Sequence, residues 1–371
     1  MPKPLKFSRL AVVVTAAVSV FATGCLGGGP DQSGVFVSRD GGTSWQAAPD
    51  LTAKGAKKPK VFPPLEVTAV GVSPTDANTV VSGTDEELFL TTDGGKAWQR
   101  LTPKLPYGSK AISVQAVQFH PNQADTFYAG GVSAGYGKLI KSTDKGANLK
   151  DVFTVARPGQ TITSIHLDPA GSDTLFVGDQ LGSVYKSTDG AATWRRIFSV
   201  DSPISLMTAS GDSLFVGTAG EGVFRSTDGG ANFAPATGNL EGRGRTVWAL
   251  AVGFGGLYAG TNEGLFLTRD FGATWQPVGN PLPPEGQRVQ AIAVSGSAVY
   301  FATNAVVYRL TPNGDMFIPV QLQLAKNVFD LAATPVDATV LYAGAGRKNA
   351  DFGDRFGAGV PQLLQAPRDR N

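Results

Sequence analysis

Short apolar runs separated by turn residues cover almost the whole chain, and no long stretch carries a helical period. One class of run is apolar on both faces: Val67-Thr68-Ala69-Val70, Val114-Gln115-Ala116-Val117, Ile162-Thr163-Ser164-Ile165, Ile204-Ser205-Leu206-Met207, Val247-Trp248-Ala249-Leu250, Val289-Gln290-Ala291-Ile292 and Val328-Phe329-Asp330-Leu331. A second class ends in glycine: Thr126-Phe127-Tyr128-Ala129-Gly130, Thr174-Leu175-Phe176-Val177-Gly178, Leu214-Phe215-Val216-Gly217, Leu257-Tyr258-Ala259-Gly260 and Leu341-Tyr342-Ala343-Gly344. Such runs predict strands of sheets packed between neighbouring sheets. A third, turn-like element reads Ser/Thr-x-Asp-x-Gly-x-x-Trp. Its aspartates are Asp40, Asp93, Asp144, Asp189, Asp228 and Asp270, with Trp45, Trp98, Trp194 and Trp275 in the aromatic place. Leu149 and Phe233 replace the aromatic Trp in two copies, and a worn seventh copy has Pro312 in the Asp place.

Four strands every 40 to 50 residues is the spacing of a β-propeller blade. The count predicts closure as well. The last copy, from Val328 to Gly344, has two inner strands and no Asp turn, while the first, from Gly34 to Trp45, has the turn and no inner strands. Joined, they complete one blade. The expected fold is all-β: a seven-bladed propeller of four-stranded antiparallel blades over residues 34–346, closed by pairing N-terminal and C-terminal strands. Residues 347–371 leave the repeat as an irregular tail.

The turn sequence resembles the Asp-box (BNR) repeat. That broad group includes sialidases, xyloglucanases, sortilin-type receptors and propellers similar to photosystem II assembly and stability factors. The resemblance spans nearly the whole repeat region and implies fold more strongly than activity. In the turn itself the carboxylate can accept from free backbone N–H groups, the Ser/Thr hydroxyl adds a bond, and glycine permits positive φ. The box aspartates and tryptophans are therefore expected to hold turns, with no metal bound.

The resemblance sets a test for catalysis. Sialidases carry an Arg-Ile-Pro motif, an arginine triad and a Tyr/Glu nucleophile; Arg-Ile-Pro is absent here. Xyloglucanases place two carboxylates in a cleft between two propellers, and this chain encodes one. His120 and His166 are the two histidines, and both read as packing or turn residues. The expectation is a non-enzyme without cofactor, with a glycan-active hydrolase using one mouth of the ring as the alternative. That alternative predicts carboxylates with raised pKa in one mouth.

The N-terminus changes the picture of charge and place. Lys3, Lys6 and Arg9 precede a 12-residue apolar run, Leu10 to Phe21, which ends in Ala22-Thr23-Gly24-Cys25. This resembles the lipobox of bacterial lipoproteins, apart from Ala22 where that family prefers Leu. It implies a signal peptide over 1–24, lipidation at Cys25 and a flexible tether over 25–33. The expected place is the cell envelope, held to the membrane by lipid, at the outer membrane if Gram-negative. The chain has 47 Gly, 24 Pro and one Cys in 371 residues, so no internal disulfide framework exists. Residues 1–24 hold three basic residues and no acid, so removing them takes the formal charge from +2 to −1. A nearly neutral chain gives no reason to expect nucleic acid.

A binding role is then expected from the face carrying the links between blades. Lys54, Lys57, Lys58, Lys60, Lys110, Arg243, Arg245, Arg288 and Lys326 fall on those links. They form a candidate basic lip for an acidic protein, polysaccharide or lipid head group. The sequence-level expectation is a monomeric, membrane-anchored scaffold for a protein or glycan partner.

Overall fold

In a computed structural model of the protein, the described residues are 34–346, apart from 49, 52–59, 62–65, 104, 106–110, 169–172, 211, 280–281, 283–286, 305, 312–315 and 321–326. The expected leader, Cys25, the tether, Pro312 of the seventh turn and the tail lie outside them. Seven four-stranded antiparallel sheets form the ring. Blades 1 to 6 begin with inner strands Val67–Val72, Ser113–His120, Ile162–Leu167, Ile204–Ser210, Val247–Gly253 and Ala291–Ser295. Blade 7 combines Asn327–Ala333 and Leu341–Gly346 with Gly34–Ser38 and Gln46–Ala47. Val35 pairs with Gly344 and Val37 with Tyr342, so the chain ends meet in one sheet. Closure leaves no inner edge open to another chain.

Blades interlock through a repeated knob and hole. The first residue of six of the seven inner runs enters the space left by the glycine that ends the previous blade's second strand; before Val328 that place is held by Ala302. A Cβ on Gly130 would lie 2.6 Å from Ile162, one on Gly178 2.5 Å from Ile204, and one on Gly260 2.7 Å from Val289. The same relation joins Gly344 of blade 7 to Val67 of blade 1, at 2.6 Å. The receiving branched residues are fully buried. The seam between the last and first blades is thus built like the others.

A second repeated feature shapes the channel. In six inner strands the ladder skips one residue at a register shift: Thr68, Gln115, Thr163, Ser205, Trp248 and Phe329. These are β-bulges, which bend a strand and re-aim its extra side chain. Two of them also bridge blades, since the Thr68 and Thr163 hydroxyls each donate at 2.5 Å to the carbonyls of Val114 and Ile204.

The Asp turns sit between third and outer strands, on the face opposite the interblade links. At Asp40 the Ser38 hydroxyl donates to Oδ1 at 2.8 Å and accepts from the Gly42 N–H at 2.8 Å. The Ser44 N–H donates to Oδ1 at 2.8 Å and the Ser44 hydroxyl to Oδ2 at 2.5 Å. The +4 side chain plays the same part for Asp144, Asp189, Asp228 and Asp270 through Asn148, Thr193, Asn232 and Thr274. At Asp93 this partner is Ala97, which offers only its N–H. The bonds hold Asp189, Asp228 and Asp270 down at about 2, led by the Thr193 hydroxyl, the Asn232 N–H and the Thr274 hydroxyl respectively. Trp45 and Trp194 donate to carbonyls within their own turns, at Gly42 and Ala191, whereas Trp275 reaches back to Ala236 of the preceding blade.

Candidate functional site

The bulges give the channel its lining. Gln115, Thr163, Ser205, Trp248 and Phe329 border a cavity of about 320 Å³, joined by Gln118, His166, Thr208, Gln290 and Asp330. That volume lies at the lower end for small-ligand sites. Toward the link face, two second-to-third turns hold lining side chains. Trp248 Nε1 donates to Asn262 Oδ1 at 2.7 Å, and Gln290 Nε2 donates to Asn304 Oδ1 at 2.6 Å.

Three buried polar atoms bordering this cavity lack a hydrogen-bond partner: Gln115 Oε1, Ser205 Oγ and His166 Nε2. An unmet buried polar group costs about 1–3 kcal/mol. All three lie beneath the cavity wall, with essentially no surface open to it. The part-exposed polar side chains that border the cavity include Gln118 and Thr208, an amide and a hydroxyl, which suit a neutral polyhydroxylated ligand.

Asp330 is the carboxylate in this cavity. Its Oδ2 accepts from the Val70 N–H at 2.8 Å, across the seam between blades 7 and 1, and its Oδ1 accepts from its own neighbour Leu331 at 2.9 Å. On the same seam, half-buried Glu66 immediately precedes the blade 1 inner strand, and its carbonyl accepts from the Asp85 N–H at 3.2 Å. A side-chain carboxyl raised by burial occurs elsewhere: Asp179, which is fully buried and accepts from Leu181 and Ser183 N–H at 2.9 Å each. Asp179 ties a turn together, and its Oδ2 also accepts from the Tyr185 hydroxyl at 3.3 Å. Among the described residues no group of three or more His, Cys, Asp or Glu is placed to hold a metal ion.

The basic lip is only partly in view. Lys54, Lys57, Lys58, Lys110 and Lys326 lie outside the described residues. Lys60 pairs with Leu51 in a separate two-stranded ladder. Arg243 and Arg245 are exposed on a 3-10 turn between blades 4 and 5. Arg288 stands apart from a lip: half-buried, it lies 4.5 Å over the Trp248 ring beside the channel.

His166 lies deep in blade 3, packed on Phe176, and burial pushes its imidazole down to about 4. Between pH 6.5 and about 4 the unfolded chain takes up a proton that the folded chain refuses. Stability therefore falls as pH drops through that window. Burial lowers His120 too, so both histidines contribute. His166→Gln is expected to lose less melting temperature than the parent protein between about pH 7 and pH 4.5. Equal slopes in the two proteins would remove His166 from that role.

No family model matches the chain. A segment of 147 residues is 26% identical to a curated protein of Neosartorya fischeri, a probable oligoxyloglucan-reducing end-specific xyloglucanase, covering 36% of this chain and 18% of the relative. The GH74 xyloglucanase from Xanthomonas campestris matches with a TM-score of 0.63 at 17% identity, over 76% of this chain and 51% of that one. YCF48 bound to D1 peptide matches with a TM-score of 0.55 at 14% identity, over 76% and 93% of the two chains. The chain is thus a seven-bladed propeller similar to these proteins. It spans about half the length of the xyloglucanase structure and under a fifth of the curated relative. These findings correct the expectation of a non-catalytic scaffold. The segment shared with the curated xyloglucanase favours the glycan-hydrolase alternative, so the expected absence of enzyme activity does not stand.

Proposed function

We propose that this protein is a glycan hydrolase acting on a xyloglucan-type β-glucan at the link-face mouth of the channel. The observation that carries this reading is the 26% identical segment shared with a xyloglucanase. The channel supplies a consistent chemistry. Glycoside hydrolysis commonly uses two carboxyl groups flanking the scissile bond. Asp330 provides one; the second is assigned to Glu66, which precedes the blade 1 inner strand on the same seam, outside the lining of the cavity itself. Gln118 and Thr208 offer polar groups to sugar hydroxyls, and Trp248, oriented by Asn262 with Arg288 over its ring, borders the same space.

In this reading the Ser/Thr-x-Asp turns are Asp boxes of the BNR type, with a structural role. Cys25 carries lipid and holds a monomer in the cell envelope, where the partner is polysaccharide. The reading is tested by incubating the purified full-length protein with xyloglucan oligosaccharides and measuring new reducing ends. Time-dependent release is expected. No release from xyloglucan or from other β-glucans would overturn the reading.

A further inference from the structure

The opposite face carries a feature that the channel does not use. Between the Asp turns of blades 4 and 5 lies a cleft of about 340 Å³, bordered by Arg225, Asn232, Phe233, Pro235 and Phe271. Phe271 occupies the turn position held by Gly41, Gly94, Gly190 and Gly229 in four other copies. It keeps the left-handed backbone, at φ +59. A bulky side chain rarely adopts that conformation. Core packing does not repay the strain, because Phe271 remains 49% exposed.

Its ring is nevertheless held in place. The Arg225 guanidinium stacks 4.5 Å from the ring centroid, and its Nε and Nη2 donate to the Ser213 hydroxyl at 3.0 and 2.9 Å. Phe254, 70% exposed, tops the loop between the first two strands of the same blade, on the same face. Lys145 holds the equivalent turn position at φ +54, so the strain belongs to the turn; what is particular to Phe271 is a half-exposed ring pinned by Arg225 beside a cleft.

We propose that this cleft binds a neutral glucan chain, as a second site distinct from the channel. The choice of occupant rests on the glycan-hydrolase reading. Pyranose rings present C–H faces to aromatic rings and hydroxyls to guanidinium and amide groups, and Phe271, Arg225 and Asn232 offer these partners together. Charge argues against an anionic polymer or an acidic lipid surface. One cation, Arg225, faces two ionised carboxylates, Asp228 and Asp270, whose oxygens are already engaged by Asn232 and Thr274.

The strain makes a clean test possible. Phe271→Gly removes the ring and places glycine where the backbone prefers it, so the melting temperature should hold or rise. Binding of the full-length protein to soluble xyloglucan is measured by affinity gel electrophoresis and calorimetry. Phe271→Gly should weaken it by roughly tenfold, the scale of losing one aromatic anchor. Turnover of short oligosaccharides should stay at the parent level. Unchanged binding in Phe271→Gly, or no xyloglucan binding by the parent, overturns the proposal. So does a Phe271-dependent affinity for anionic vesicles in place of xyloglucan. The two readings fail separately. Binding that depends on Phe271 without any turnover removes the hydrolase and keeps the cleft, whereas turnover with binding indifferent to Phe271 does the reverse.

Discussion

Asp330→Asn is expected to lower turnover of xyloglucan oligosaccharides by about 10²- to 10⁴-fold, the usual contribution of a positioned acid–base group. The substitution is nearly isosteric. The amide oxygen can go on accepting from the Val70 N–H, so the seam between blades 7 and 1 keeps its hydrogen bond. Its nitrogen cannot replace Oδ1 as the acceptor for the Leu331 N–H, so stability should fall by about 1 kcal/mol, the net scale of one hydrogen bond. Asp330→Ala gives the contrast. It deletes the acceptor as well as the charge and should cost about 1–3 kcal/mol in addition to the activity. A loss in kcat with little change in KM marks an interaction made in the transition state, whereas a rise in KM alone marks ground-state binding. Glu66→Gln should show the same kcat signature if it is the second carboxyl. Full activity in Asp330→Asn would exclude the channel as the reaction site.

The residue behind that prediction was visible in the aligned inner runs. Their third position reads Ala69, Ala116, Ser164, Leu206, Ala249, Ala291 and Asp330, so one acid interrupts a small or apolar series. It lies within a strand, away from the charged links between blades. The bulges were harder to see. Thr68, Gln115, Thr163, Ser205 and Trp248 share the second position, but nothing in a period of two says that the ladder skips there. Without the skip these side chains would be assigned to a blade face and the channel lining would be missed. Arg288 was grouped with loop charges for a similar reason, since only the three-dimensional fold brings it onto Trp248. Strand order, blade count and closure were legible because each is written several times along the chain. Phe271 was legible as an irregular turn residue, but its exposure and its stacking on Arg225 needed coordinates.

The glycines that end the second strands look in the sequence like punctuation; packing gives them another role, and with it the largest expected effect on stability. Gly178→Ala should destabilise the ring by about 1–3 kcal/mol, the range for an overpacked core. The added methyl would stand 2.5 Å from Ile204 Cγ2 and 2.8 Å from its Cβ. Relief by movement is poor, because Ile204 is fully buried at the start of the blade 4 inner strand. One residue further on, Ser205 begins the bulge that lines the channel. Ile204→Ala alone should also destabilise, by about 2–5 kcal/mol, through the cavity it leaves. Together the two changes should cost less than the sum of the single effects, since each partly fills or vacates the same space. Denaturant midpoints of the four proteins give the coupling. Strict additivity would mean that Gly178 and Ile204 do not form a knob and hole. Gly130 with Ile162 and Gly344 with Val67 should then repeat the result around the ring. Gly344 is the most informative of these pairs, because its knob belongs to blade 1 while its own sheet is completed by the N-terminal strand.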